Sequence, residues 1–198
     1  MSHISKIRTR LKNEAALRKA LADLGLEVST GTVRGTFGQK AKFKIPSGTP
    51  GYDIGFAETD GCFELVADWD VIEGITPRIL ETQLLQRTAY HFAMAQFKDQ
   101  GMHIMKEEVL PNGEIRILAG RDLIAEGEFQ RQRVKVCVPK EGRTILDVTG
   151  GSNEQACIGL TQALAIGLGE VEELTHTPQG PETPGARVRI QQGKKNRT

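Results

Sequence analysis

The chain of 198 residues is poor in cysteine, in aromatic side chains and in net charge. Its three cysteines, Cys62, Cys137 and Cys157, stand far apart, and no CxxC or Cys/His spacing links them to His3, His91, His103 or His176. This pattern argues against a secreted disulfide framework and against a structural zinc site. Aromatic residues make up 5% of the chain, with Trp69 the single tryptophan. Basic and acidic side chains nearly cancel, 26 against 25. No long-range field therefore draws the protein to nucleic acid or to an anionic membrane. No stretch approaches the roughly 18 apolar residues of a membrane span. The opening MSHISKIRTRLKNE lacks the apolar core of a signal peptide. The expectation is a cytoplasmic protein without metal or organic cofactor.

What is present suffices for a packed core, since 38% of residues are hydrophobic. A short strand is expected over His3–Thr9, alternating at Ile4 and Ile7. Asn13 is a helix N-cap, followed by Leu17, Ala20, Leu21 and Leu24 at helical spacing, with Gly25 as the left-handed stop. Glu27–Lys44 is strand-like but interrupted by Gly31, Gly35 and Gly38. Residues 52–57 and 62–70 alternate and read as a hairpin around a four-residue loop, Glu58–Gly61. That puts Tyr52, Ile54, Phe56, Phe63, Leu65 and Trp69 on the core face. Thr76-Pro77 opens the longest helix, striped by Leu80, Leu84, Leu85, Ala89 and Phe92 and stopped by Gly101. Pro111-Asn112-Gly113 joins a second hairpin.

Residues 1–120 thus read as an α+β domain, a ferredoxin-like antiparallel sheet with helices on one face. Polar residues 121–132 read as a connector. Residues 133–175 read as a small ββα unit: alternating Val134, Val136 and Val138, a return strand over Thr144–Val148, and a helix capped by Ser152 and striped by Cys157, Leu160, Leu164 and Leu168. Residues 176–198, rich in Pro, Gly and Gln and ending in a basic cluster, read as a disordered tail.

Four motifs occur together and in order: MSHISKIRTRLKNEAALRKALADLG, GYDIGF at 51–56, ELVADWD at 64–70 and QRTAYH at 86–91. Over residues 1–120 the chain resembles the family catalogued as domain of unknown function twelve fifty-seven, the conserved hypothetical reading frame of cyanobacteria and plastids. One departure is Asp70-Val71, where members more often carry a second tryptophan. Residues 133–175 resemble domain of unknown function twenty-nine ninety-seven, through the strand-turn-strand-helix order and Cys157 and Leu160-Thr161. Genes of the two families tend to neighbour one another and genes for AAA-type ATPases. The resemblance implies no activity and assigns no catalytic residues.

The polar residues of these motifs form the one cluster with chemical potential. On the expected hairpin register Asp53 lies diagonally from Asp68, with Asp70 in the same row; Arg87 and His91 share the edge of the long helix. Two carboxylates on diagonal positions bind a hard cation or share a proton. The competing reading is an ion-pair network with Arg34, Lys42 or Arg87, which perturbs carboxylates as readily as an active site does. No nucleophile has a matching His and orienting acid. Gly150-Gly151-Ser152 lacks the lysine and glycine spacing of a P-loop. Arg131, Arg133 and Lys135 make one strand face basic without the interleaved aromatics of a single-strand nucleic-acid platform. The expectation is a non-enzymatic interaction or adaptor protein, with an AAA-type ATPase assembly as the partner the resemblance implies, docking through Val134, Val136, Leu160, Leu164 and Leu168 or self-associating as a homo-oligomer. The alternatives are a ligand-binding protein or enzyme using Asp53, Asp68, Arg87 and His91, and a nucleic-acid-binding protein.

Overall fold

The computed structural model describes residues 4–9, 11–125, 128–140, 143–149, 162, 170–179 and 183–191. The chain divides into two compact units, residues 1–88 and 89–198. The fold is α+β, as expected, with two antiparallel sheets.

The first unit runs β1 (Ile4–Arg8), α1 (Glu14–Asp23), β2 (Ser29–Thr32), β3 (Lys40–Pro46), β4 (Asp53–Thr59) and β5 (Cys62–Asp68), then enters α2 (Pro77–Asp99). Helix α1 begins where the Asn13 side chain accepts from the Ala16 N–H at 2.9 Å, and Glu14 in its first turn suits the positive end of the helix dipole. It ends with Gly25 at φ +69°, whose N–H reaches the Ala22 carbonyl while that of Leu26 reaches Leu21. This crossed pair satisfies carbonyls the helix leaves open.

The five strands lie in the order β1-β5-β4-β3-β2. β1 is therefore an edge strand, where a ferredoxin-like order would place it inside the sheet. The β4–β5 turn is Asp60-Gly61 alone, with φ of +51° and +72°, and the ladder runs from Thr59↔Cys62 to Gly55↔Val66. Two consecutive positive φ values give the tight turn whose twist matches a hairpin. The expected loop was longer by Glu58 and Thr59, which slips the register by an even step. An even slip keeps every side chain on its expected face.

Both helices accordingly lie on one face of this sheet. Leu17, Ala20 and Leu21 of α1 and Leu80, Leu84 and Leu85 of α2 cluster with Phe43, Ile45, Ile54, Phe56, Phe63 and Leu65. The Phe43 and Phe56 rings stack at 4.9 Å between centroids, and Phe63 tilts against Phe43 at 5.4 Å. The Arg18 guanidinium lies 4.4 Å over the Phe43 ring, and Lys42 bridges Glu14 and Glu58 at 2.7 and 2.5 Å. Trp69 packs half-buried against the same cluster.

The second unit, after α2, contains β6 (His103–Val109), β7 (Ile115–Ala125), β8 (Glu128–Val138), β9 (Arg143–Thr149), β10 (Glu170–Gln179) and β11 (Thr183–Gln191). They form a sheet in the order β10-β11-β9-β8-β7-β6. Three expectations change here. The connector at 121–132 is instead the far half of the β7–β8 hairpin, paired as Arg121↔Gln132 and Asp122↔Arg131. Its polarity is accommodated in place: Gln132 is 1% exposed and accepts from Arg121 Nε at 2.8 Å. The expected tail, from residue 176, contributes the end of β10 and all of β11, with β11 pairing β9 from Gly185↔Thr149 to Gln191↔Arg143. The expected domain break at 120 falls inside β7. The expected helix over 152–168, with Cys157, Leu160, Leu164 and Leu168, lies outside the described residues.

On the face of the first sheet away from the helices, a Cβ built on Gly55 would lie 2.5 Å from Val33 Cγ2 and 2.9 Å from Ala41 Cβ. Val33 is 1% exposed and β-branched, so it has little room to turn aside. Gly55→Ala is expected to destabilise the protein by about 1–3 kcal/mol through overpacking. Urea denaturation checks this, and the same substitution in a Val33→Ala background is expected to cost clearly less. Equal costs in both backgrounds would show that Val33 does not set the limit.

Candidate functional site

Asp53, the first residue of β4, is 3% exposed and is the most heavily bonded side chain among the described residues of the first unit. Arg34 Nη2 donates to its Oδ1 at 2.7 Å, and Arg34 Nε reaches both oxygens at 3.1 and 3.0 Å. The Arg34 backbone N–H donates to Oδ2 at 3.1 Å, and Lys44 Nζ to the same oxygen at 2.8 Å. The Asp53 N–H in turn donates to the Arg34 carbonyl at 3.2 Å. A carboxylate offers about four acceptor sites, and these donors fill them. The Arg34 guanidinium and Lys44 hold the Asp53 carboxyl far below the usual carboxylate range, against the opposing effect of burial. The group is a fixed anion with no oxygen left to ligate a metal or move a proton.

The other members of the expected cluster do not share this environment. The β4–β5 ladder stops at Gly55↔Val66. Asp68, the last residue of β5, is 0% exposed, and among the described residues neither of its oxygens has a hydrogen-bond partner. Asp70 is exposed in the turn that follows. Arg87 is half-buried and donates to the Gln83 carbonyl one helical turn back at 3.3 Å. His91 is half-buried, with its ring edge-on to Tyr90 at 5.1 Å. Arg34 was named from sequence as a possible ion-pair partner of Asp53. Lys44 was not: the glycine-broken ribbon around β2 and β3 hides which lysine faces inward.

The expected docking surface also changes. Val134 and Val136 are fully buried, and β8 is flanked by β7 on one side and β9 on the other, so it is not an edge strand. The edge of the second sheet beside β7 is β6, and six of its seven residues are exposed. They include Ile104, Met105 and Val109, with 38, 52 and 67% of their surface in solvent. A bulge at Met105, between Ile104↔Ala119 and Lys106↔Leu118, turns its side chain toward Arg133, whose Nη1 lies 2.7 Å from Met105 Sδ. A groove of about 350 Å³ opens there, bordered by His103, Gly120, Arg121, Arg131 and Arg133. Among the described residues no group of three His, Cys, Asp or Glu side chains converges to hold a metal ion. No described helix is long and apolar enough to cross a membrane.

Removing the Asp53 charge leaves Lys44, itself 15% exposed, without its anion. Asp53→Asn is expected to cost about 3–5 kcal/mol at neutral pH, the usual penalty for breaking a buried pair. Because the folded carboxyl titrates below the unfolded one, its stabilisation is complete above the unfolded value of about 4 and falls away as pH drops below it. Urea unfolding across pH 2–7 tests this, since the wild type should lose stability below about pH 4 more steeply than Asp53→Asn. Parallel acid limbs would contradict the assignment.

A family model described as protein of unknown function (DUF1257) matches residues 20–118. The uncharacterized protein ycf35 of Cyanophora paradoxa is 31% identical over 127 residues, covering 61% of this chain and 98% of the relative. That of Guillardia theta is 34% identical over 132 residues with the same coverage, and that of Pyropia yezoensis 30% over 127. No solved structure matches the chain. The matched region holds α2, β6 and the β4–β5 hairpin with Asp53 and Asp68, and this chain belongs to the DUF1257 family.

Proposed function

We propose that this protein is a non-enzymatic interaction module, an adaptor whose open β6 edge accepts an extended segment of a protein partner. The observation that carries this reading is an edge strand with three large apolar side chains in solvent and, among the described strands, β7 on one side only. An open edge supplies main-chain hydrogen bonds for affinity, and alternate side chains supply selectivity. The reading adopts a different protein as the partner. In an antiparallel two-fold pairing that keeps each face on its own side, one residue meets its own counterpart at the axis. At the centre of β6 that residue is Lys106, Glu107 or Glu108; the Lys106 and Glu108 registers set like charges together at the axis, while the Glu107 register also sets Lys106 opposite Glu108 on both sides of it.

The AAA-type ATPase assembly implied by the resemblance is the partner class this reading adopts, with a cytosolic location. The likeness of residues 133–175 to domain of unknown function twenty-nine ninety-seven belongs to the same proposal, as that family shares the gene neighbourhood. A second reading, a ligand-binding protein centred on Asp68, is favoured by the buried carboxylate with no hydrogen-bond partner, since such a group calls for an ion, a water or a ligand. Native mass spectrometry separates the two: a small molecule retained by the wild type and lost in Asp68→Asn supports the second reading.

A photo-crosslinker at Val109 is expected to capture an ATPase subunit in the native host, and one at the exposed Lys19 of α1 is not. Val109→Lys should weaken that capture while changing stability by no more than about 0.5 kcal/mol, as at most surface sites. Equal capture from both positions, or none from Val109, would contradict the β6 reading.

A further inference from the structure

We propose that the groove where β6, β7 and β8 meet binds a small phosphate-bearing anion, held between His103 and Arg133 over Gly120. The backbone register places these three in one row across the sheet, His103↔Gly120 and Gly120↔Arg133. His103 and Arg133 are therefore two strand spacings apart, roughly 10 Å at the backbone. Gly120 contributes no side chain to the row, and the room over it is taken by the Met105 thioether, which an arriving oxyanion displaces. A Cβ there would lie 2.8 Å from Met105 Sδ and 3.2 Å from the Gln132 carbonyl oxygen, so a side chain at this position closes the groove.

Arg133, the cation beside that space, has a weak acceptor. Arg133 donates to the thioether of Met105 at 2.7 Å, and a thioether is a poor acceptor. Arg121, paired with the buried Gln132, points to the other face of the sheet, where it donates to the Gln132 side chain at 2.8 Å and to the Gln100 carbonyl at 2.7 Å. Arg131 meets Asp122 at 3.9 Å on the same face of the sheet as Arg133. A phosphate oxygen offers Arg133 a charge-assisted, bidentate partner about twice as strong as a neutral one. Met105, half in solvent on a bulge, is free to swing aside when it arrives. Among the described lining residues no Phe, Tyr or Trp offers a base a stacking surface, which favours a small anion over single-stranded nucleic acid. The site uses the face of the sheet and leaves the hydrogen-bonding groups of the β6 edge unoccupied.

The test is an amide NMR titration of the full chain with inorganic pyrophosphate, against sodium chloride of matched ionic strength. Saturable shifts are expected at His103, Gly120 and Arg133, with pyrophosphate and not with chloride. Arg133→Gln should weaken binding about tenfold or more, the loss of a charge-assisted pair. Met105→Leu, at an exposed position, should bind at least as tightly as the wild type. Absence of specific shifts up to about 10 mM, or equal affinity in Arg133→Gln, would overturn the proposal. A single-stranded RNA oligonucleotide that shifts the same residues and binds more than about tenfold tighter than pyrophosphate would overturn it in favour of a nucleic-acid site.

Discussion

The first unit is organised around one buried anion. Asp53 sits at the start of β4 with its partners on two other segments, Arg34 in the loop after β2 and Lys44 on β3. The carboxylate fastens that loop by a backbone N–H as well as by the guanidinium. Once the loop is fixed, Val33 is held over Gly55, and Thr36 is buried with its hydroxyl donating to the Val33 carbonyl at 2.6 Å. The sheet is then closed on the side away from the helices, and its apolar residues are committed to the aromatic cluster on the other. The same donors remove Asp53 from acid–base chemistry. A group that fixes three segments through every lone pair it has cannot also serve as a proton carrier.

The second unit faces a different constraint. A six-stranded open sheet has two edges, and each presents unpaired backbone groups. β6 carries a bulge at Met105 and a charged centre, Lys106-Glu107-Glu108. It keeps Ile104 and Val109 in solvent. Charge lies at the centre of β6, with apolar residues toward its ends. Around the bulge, the same strand supplies His103 and Met105 to the guanidinium-lined groove.

Much of this was legible from sequence because it is locally encoded. Asn13 and Gly25 bound α1 by capping chemistry, and the alternation of Ile54 and Phe56 with Phe63 and Leu65 defined the core face even though the turn is two residues shorter than expected. What escaped is what distant residues decide. Arg121 and Gln132 read as linker polarity, and only their pairing across β7 and β8 shows that each satisfies the other inside a sheet. β10 and β11 carry Pro178 and Pro184 within a Pro-, Gly- and Gln-rich stretch, although Ala186, Val188 and Ile190 alternate with Arg187 and Arg189; their membership in the sheet rests on pairing with β9 and with each other. The candidate cluster was drawn from motif residues on one assumed face. Asp53 found its counter-charges on the glycine-interrupted ribbon, where periodicity carries no information.

The central claim is that β6 is an open edge completed by a partner strand, and amide hydrogen exchange tests it most directly. In the isolated protein the outward amides of Ile104–Val109 should exchange rapidly while those of β7 and β8 stay protected, and adding the captured partner should slow exchange in β6 selectively. Protection of all β6 amides in the free protein, or no change in β6 on complex formation, would contradict it.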